Sequence, residues 1–132
     1  MELIVNKVQY EVTDLDEFRM RLAQVRGTQF AEVGIWHTGG WPSIFALFNG
    51  EAAWLMYMRY EGDAGFSTRN PQYAGPEKAV IEYHLSNGQP DEYPAAWNIT
   101  TAEALRALEH FFAEAAMAPW LHWYDDTEKQ NV

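Results

Sequence analysis

Residues 42–60, PSIFALFNGEAAWLMYMRY, set two apolar runs on either side of Asn49-Gly50. Asn-Gly between apolar runs is the strongest short-range hairpin signal, because both residues tolerate the positive φ that a tight turn demands. The pattern predicts one strand over residues 42–48 and an antiparallel partner over residues 52–60. The second run, AAWLMYMRY, is apolar at odd and even positions alike, which places it in the interior of a sheet. A chain built on such a hairpin is committed to an antiparallel β core, and its other segments have to cover that core.

Local signals supply those segments. Residues 3–12 are rich in β-branched and aromatic side chains and read as a first strand. Thr13-Asp14 then offers an N-cap, with Asp16 and Glu17 where carboxylates favour a helix start. Leu15, Phe18, Leu22 and Val25 recur at helical spacing, and Gly27 marks the end. Residues 30–38 read as a strand before a Gly39-Gly40 turn. Residues 80–85 alternate, with Ile81, Tyr83 and Leu85 on one face and Glu82 and His84 on the other. Asn87-Gly88 makes a second turn. Residues 89–94 follow as an edge strand or loop, demoted by two prolines. Thr100 or Thr101 caps a second helix, with Glu103 in its first turn. Its apolar stripe is Leu105, Leu108, Phe111, Phe112 and Ala115, and Pro119 blocks continuation. Residues 120–124 read as a short final strand. The expected fold is α+β, a mainly antiparallel sheet of about five or six strands with two helices packed on one face. Residues 1–124 read as a single domain and residues 125–132 as a polar, flexible tail.

Charge narrows the function classes. The 132 residues carry a formal charge of −10. Ten acids and seven bases lie in residues 1–78, and nine acids and two bases in residues 79–132, so the halves carry −3 and −7. An acidic field of that kind disfavours direct binding of nucleic acid or of an anionic membrane, and attracts a basic protein. There is no cysteine, which suits a reducing cytoplasm. The N-terminal residues do not read as a secretory signal, and no apolar run approaches the length of a membrane span. Six Trp and seven Tyr exceed what a core of this size can take up with their N–H and O–H groups satisfied. Some of them are therefore expected at the surface, as interface anchors.

Residues 59–97 hold two long turn-rich segments, and segments of that kind are usually functional. They contain no recognisable catalytic set. Glu61 and Asp63 in EGDAGF could act as acid and base, yet a solvated turn explains them more simply, and the calcium-loop spacing is absent. His37, His84, His110 and His122 share no ligand spacing, so neither a metal nor another cofactor is expected. Binding is thus favoured over catalysis. The alternatives are a small hydrolase using the loop carboxylates, or a module that binds a small ligand or carbohydrate on its Trp and Tyr residues.

Four segments taken in order resemble immunity protein family one of bacterial polymorphic toxin systems. They are WPSIFALFNGEAAWLMYMRYEGDAGFSTRNP (41–71), QYAGP (72–76), YHLSNGQPDEYP (83–94) and the stretch over 97–112 that leads into the second helix. The resemblance spans about residues 30–124. It implies a cytoplasmic antidote that binds a cognate toxin, often a nucleic-acid deaminase, and it carries over no catalytic residue. Such toxins bind nucleic acid and so present basic clefts, which the acidic second half would complement. On that basis Glu61, Asp63, Asp91 and Glu92 are the candidate charge complements, and Tyr73 and Tyr93 the candidate aromatic anchors. Arg69, Asn70 and Pro71 are as well suited to bracing the fold.

Overall fold

The expected hairpin stands at the centre of the computed structural model, which describes residues 1–131. Strand β4 (Ser43–Asn49) pairs with β5 (Ala52–Met58) over seven residues, from Asn49↔Ala52 to Ser43↔Met58. This register makes Gly50 and Glu51 the turn residues, one position later than the Asn-Gly pair suggests. Gly50 supplies the positive φ, 59°, at the first turn position.

The sheet grows outward from this pair. On one side lie β3 (Phe30–Trp36), β1 (Glu2–Val5) and β2 (Val8–Glu11); on the other lie β6 (Phe66–Arg69) and β10 (His122–Asp125). The order is β10-β6-β5-β4-β3-β1-β2, and the short β9 (Ile99–Thr100) also pairs with β5. All pairings are antiparallel. Eight strands exceed the expected five or six, even though residues 80–84 pair outside this sheet, for three reasons, one of which is the short β9. The single strand read over residues 3–12 is in fact the β1–β2 hairpin, turning at Asn6 and Lys7 with φ of 47° and 75°. That turn is held from outside: the Asn6 N–H donates to the Glu32 carbonyl, and the Asn6 side chain accepts from the Glu32 N–H. β6 is a further strand that local sequence signals do not announce. Its sequence, FSTR, shows no clean alternation and sits between turn signals, so it read as loop.

Helix α1 (Leu15–Leu22) and helix α2 (Thr101–Glu114) cover one face. Asp14 caps α1 by accepting from the Glu17 N–H. Thr100 and Glu103 form a reciprocal capping box on α2. Phe18, Leu22, Leu108 and Phe111 pack onto Leu3, Val33, Ile35, Ile44, Ala46 and Leu55. Full burial of each large side chain stabilises by about 1.5–3 kcal/mol. Ala104 and Ala107, outside the expected stripe, also lie buried against the sheet.

The opposite face is covered too. Strands β7 (Val80–His84) and β8 (Pro90–Pro94) pair only with each other and form a separate two-stranded sheet. This hairpin lies over Leu47 and Trp54 with Tyr83, Ile81, Leu85 and Tyr93, and Trp97 of the 3-10 turn that follows it packs against the same cluster. A second cover explains why β5 is apolar on both faces. Of the tail expected over 125–132, Asp125 closes β10 and Asp126–Asn131 form a 3-10 helix. Val132 lies outside the described residues.

Candidate partner-binding surface

The β7–β8 hairpin is a platform whose two faces are chemically distinct, because side chains alternate along a strand. The turn over Ser86, Asn87 and Gly88, with Gly88 at φ 89°, sets the register Ile81↔Tyr93, Glu82↔Glu92, Tyr83↔Asp91 and His84↔Pro90. Opposed residues share a face, so Ile81, Tyr83, Asp91 and Tyr93 face the main sheet. Glu82 and Glu92 face away from it, whereas His84, at the end of β7, turns its ring back onto Phe30 of the main sheet.

The inner face is tightly fixed. Tyr83 is 0% exposed and its hydroxyl donates to Asn98 Oδ1. Asn98 Nδ2 in turn donates to the Pro94 and Ala95 carbonyls at 3.0 and 3.2 Å. Tyr93 stacks on Trp54 with ring centroids 4.3 Å apart and donates to Asp91 Oδ2 at 2.7 Å. Burial raises the pKa of both tyrosines above its ordinary value, and the neighbouring Asp91 carboxylate adds to the effect at Tyr93. From below, Asn49 Nδ2 donates to the Glu82 carbonyl and Ser86 Oγ to Glu32 Oε1, each at 2.8 Å. His84 stacks on Phe30 at 3.8 Å.

The outer face carries an electrostatic conflict. Glu82 and Glu92 stand directly opposite one another, and both are exposed. Like charges in that position destabilise a strand pair. The one cationic relief nearby is His84, whose Nε2 lies 3.2 Å from Glu82 Oε2 and which helps only when protonated. Residues 77–94 contain Glu77, Glu82, Asp91 and Glu92 against Lys78 alone.

The other turn-rich segment is built differently. Asp63 is not a solvated turn residue; its side chain is 1% exposed. Its carboxylate accepts from the Arg59 N–H, Nε and Nη2 at 2.8–2.9 Å and from the Gly65 N–H at 3.1 Å. The Arg59 hydrogen bonds hold its pKa far below the usual carboxylate range, against the opposing effect of burial. Glu61, two residues earlier, is exposed. Arg69 packs between the rings of Trp97 and Tyr124, 3.8 and 4.5 Å from their centroids. It donates to Ser67 Oγ and the Thr68 carbonyl, and lies 3.9 Å from Asp126 Oδ1. The Asn70 N–H donates to the Ala96 carbonyl, and Asn70 Oδ1 caps the following turn. Tyr73 is half-buried, and its hydroxyl donates to the Pro76 carbonyl within its own loop.

The six expected contact residues therefore do not form one cluster. Asp91 and Tyr93 meet, but beneath the hairpin. Asp63 anchors its own loop, and Tyr73 is turned into a local bond. Glu61 and Glu92 present carboxylates to solvent from different elements. The residue that sequence reasoning passed over is Glu82. Reflection through a turn centred on Asn87 pairs position 82 with position 92, so its partnership with Glu92 was available from the turn alone.

Arginine placement sharpens the contrast. Arg19, Arg21, Arg26, Arg59 and Arg69 each lie within 4.0 Å of a carboxylate: Glu109, Glu17, Glu51, Asp63 and Asp126 respectively. The hairpin acids have no such arginine among the described residues. No group of three or more His, Asp or Glu side chains among the described residues is placed to hold a metal ion. No helix of the described chain is long and apolar enough to cross a membrane.

A comparison with curated proteins finds no match. The family model described as Immunity protein Imm1 matches residues 10–125, which takes in the helices, the main sheet from β3 onward and the whole acidic hairpin. The chain belongs to the Imm1 family of immunity proteins.

Proposed function

We propose that this chain neutralises a cognate toxin of a bacterial polymorphic toxin system by presenting the outer face of the β7–β8 hairpin to a basic surface on the toxin. The observation that carries the proposal is the Glu82–Glu92 pair, held face to face on a rigid platform with no arginine in range. A toxin lysine or arginine brought between the two carboxylates would relieve their repulsion, so the complex gains what the free chain lacks. Glu61 adds a further exposed carboxylate. The toxin is a nucleic-acid deaminase whose basic substrate path the acidic hairpin blocks, and neutralisation takes place in the cytoplasm of the producing cell.

Hydrolysis by the loop carboxylates is the weaker reading, because Asp63 is sequestered by Arg59 and stays ionised at any ordinary pH. Small-molecule binding is disfavoured by size, since the cavities, of about 170–310 Å³, lie at or below the lower end for such sites. Co-expression with the toxin domain encoded beside this gene tests the proposal. Cells carrying the wild-type chain should survive, and cells carrying Glu82→Lys with Glu92→Lys should lose most of that protection. Death of cells that carry the wild-type chain would remove the proposal altogether.

A further inference from the structure

A groove near the β6–β10 edge of the main sheet includes no residue of the β7–β8 hairpin in its lining. It holds about 220 Å³ between the Asn70–Gln72 loop, the first turn of α2 and the segment after α2. Ile99, Leu121 and Trp120 supply its apolar lining, and Gln72 and His122 lie among its polar residues. Trp120 is 48% exposed, although an indole of that size usually packs away. Its ring meets His110 in a T-shaped contact, with centroids 5.3 Å apart.

Glu103 stands on the same rim. Its Oε1 accepts from Thr100 in the capping box, while Oε2 has no hydrogen bond among the described residues. Arg106, the nearest base along the helix, forms no ion pair with it. Arg69 also lines the groove, but its guanidinium lies between Trp97 and Tyr124 and beside Asp126, so its charge is already compensated. A single slot thus combines an aromatic ring, an apolar lining and one half-used carboxylate.

We infer that this groove receives one arginine or lysine side chain from the protein partner. The aliphatic stem would lie on Ile99 and Leu121, and the cationic head would sit against the Trp120 ring and Glu103 Oε2. The groove's own lining balances Arg69 against Glu103, and the net charge of −7 over residues 79–132 adds a long-range field that draws a basic partner rather than an acidic one. The groove is too small for most small-molecule ligands and suits a single side chain. The inference rests on toxin neutralisation for the bearer of that side chain, and on the groove itself for the chemistry.

The test uses no toxin. The ¹⁵N-labelled chain is titrated with N-acetyl-L-arginine amide, and separately with the citrulline analogue, in which a neutral urea group replaces guanidinium. The arginine probe should shift the Trp120 indole N–H together with the Leu121 and Glu103 amides, and the citrulline probe should bind more weakly. Glu103→Gln keeps the capping box, because glutamine serves at that position as well as glutamate. It should weaken the arginine probe about twofold to fivefold, the range of an exposed ion pair. Trp120→Leu keeps an apolar lining and should abolish the shifts. Equal binding of both probes, shifts confined to Glu82 and Glu92, or no effect of either variant would overturn the inference. Any of these results leaves the co-expression outcome untouched, and failed protection leaves the probe data untouched.

Discussion

Glu92→Lys should make the free protein more stable and the antidote worse. In the native hairpin Glu92 opposes Glu82 directly. Opposed side chains have Cβ atoms about 4.5–5.5 Å apart, and such a pair is worth roughly 0.2–1 kcal/mol in either direction. Two unit charges about 5 Å apart in water interact by about 0.8 kcal/mol, which agrees. The substitution removes a repulsion and installs an attraction, so the gain is about 0.5–1.5 kcal/mol at low salt. For a chain of this length that corresponds to a rise in melting temperature of about 2–6 °C. The gain should shrink as salt is added, because both side chains are exposed and screened. Association with a basic toxin should slow about threefold to tenfold at low salt, since steering depends on the charge that faces the partner. Thermal melts at two salt concentrations, with stopped-flow association against the toxin domain, measure both quantities. A variant no more stable than wild type would refute the electrostatic account of the pair. A more stable variant with unchanged association would refute its role in binding.

Three further outcomes follow from the geometry. Tyr83→Phe leaves Asn98 Oδ1 buried without its donor and should cost about 1–3 kcal/mol in urea unfolding; an unchanged midpoint would show that the hydroxyl does not secure the hairpin. Gly65→Ala should cost about 2 kcal/mol or more, because φ is +68° and a Cβ would collide with the Tyr57 carbonyl oxygen; a loss below about 0.5 kcal/mol would contradict that crowding. Asp63 has a depressed folded-state pKa, so the stability it contributes is complete above the unfolded value of about 3.9 and is lost as pH falls below it. Asp63→Asn should therefore flatten the acid limb of the stability profile below about pH 5, and a limb as steep as wild type would place the acid sensitivity elsewhere.

Both helices and the central hairpin were legible because their signals are local. The caps at Asp14 and Thr100, the helical spacing of Phe18 with Leu22, and the glycine at position 50 act over a few residues. What failed depended on contacts distant in sequence. Asn6 and Lys7 turn because Glu32 holds them, and β6 forms because β5 and β10 lie on either side of it. The two-faced apolar pattern of β5 announced a second cover, but it could not name residues 80–94 as that cover. The acidic stretch Asp91-Glu92 shows most plainly why composition alone misleads about a site. Alternation sends Asp91 inward to Tyr93 and Glu92 outward to Glu82, so neighbours in sequence have opposite fates. Asp63 misled in the same way, because its partner Arg59 is four residues away and gives no signal in a charge count. The bracing role for which Arg69, Asn70 and Pro71 are suited fits the stacked and hydrogen-bonded geometry of Arg69 and Asn70.

Amide hydrogen exchange on the chain alone and in complex with its toxin domain tests most directly where the partner binds. Contact through the outer hairpin face should slow exchange across residues 80–94, while the outward surface of α1 exchanges as in the free chain. Slowed exchange confined to the two helices, with residues 80–94 unchanged in the complex, would contradict the assignment of the acidic hairpin as the neutralising surface.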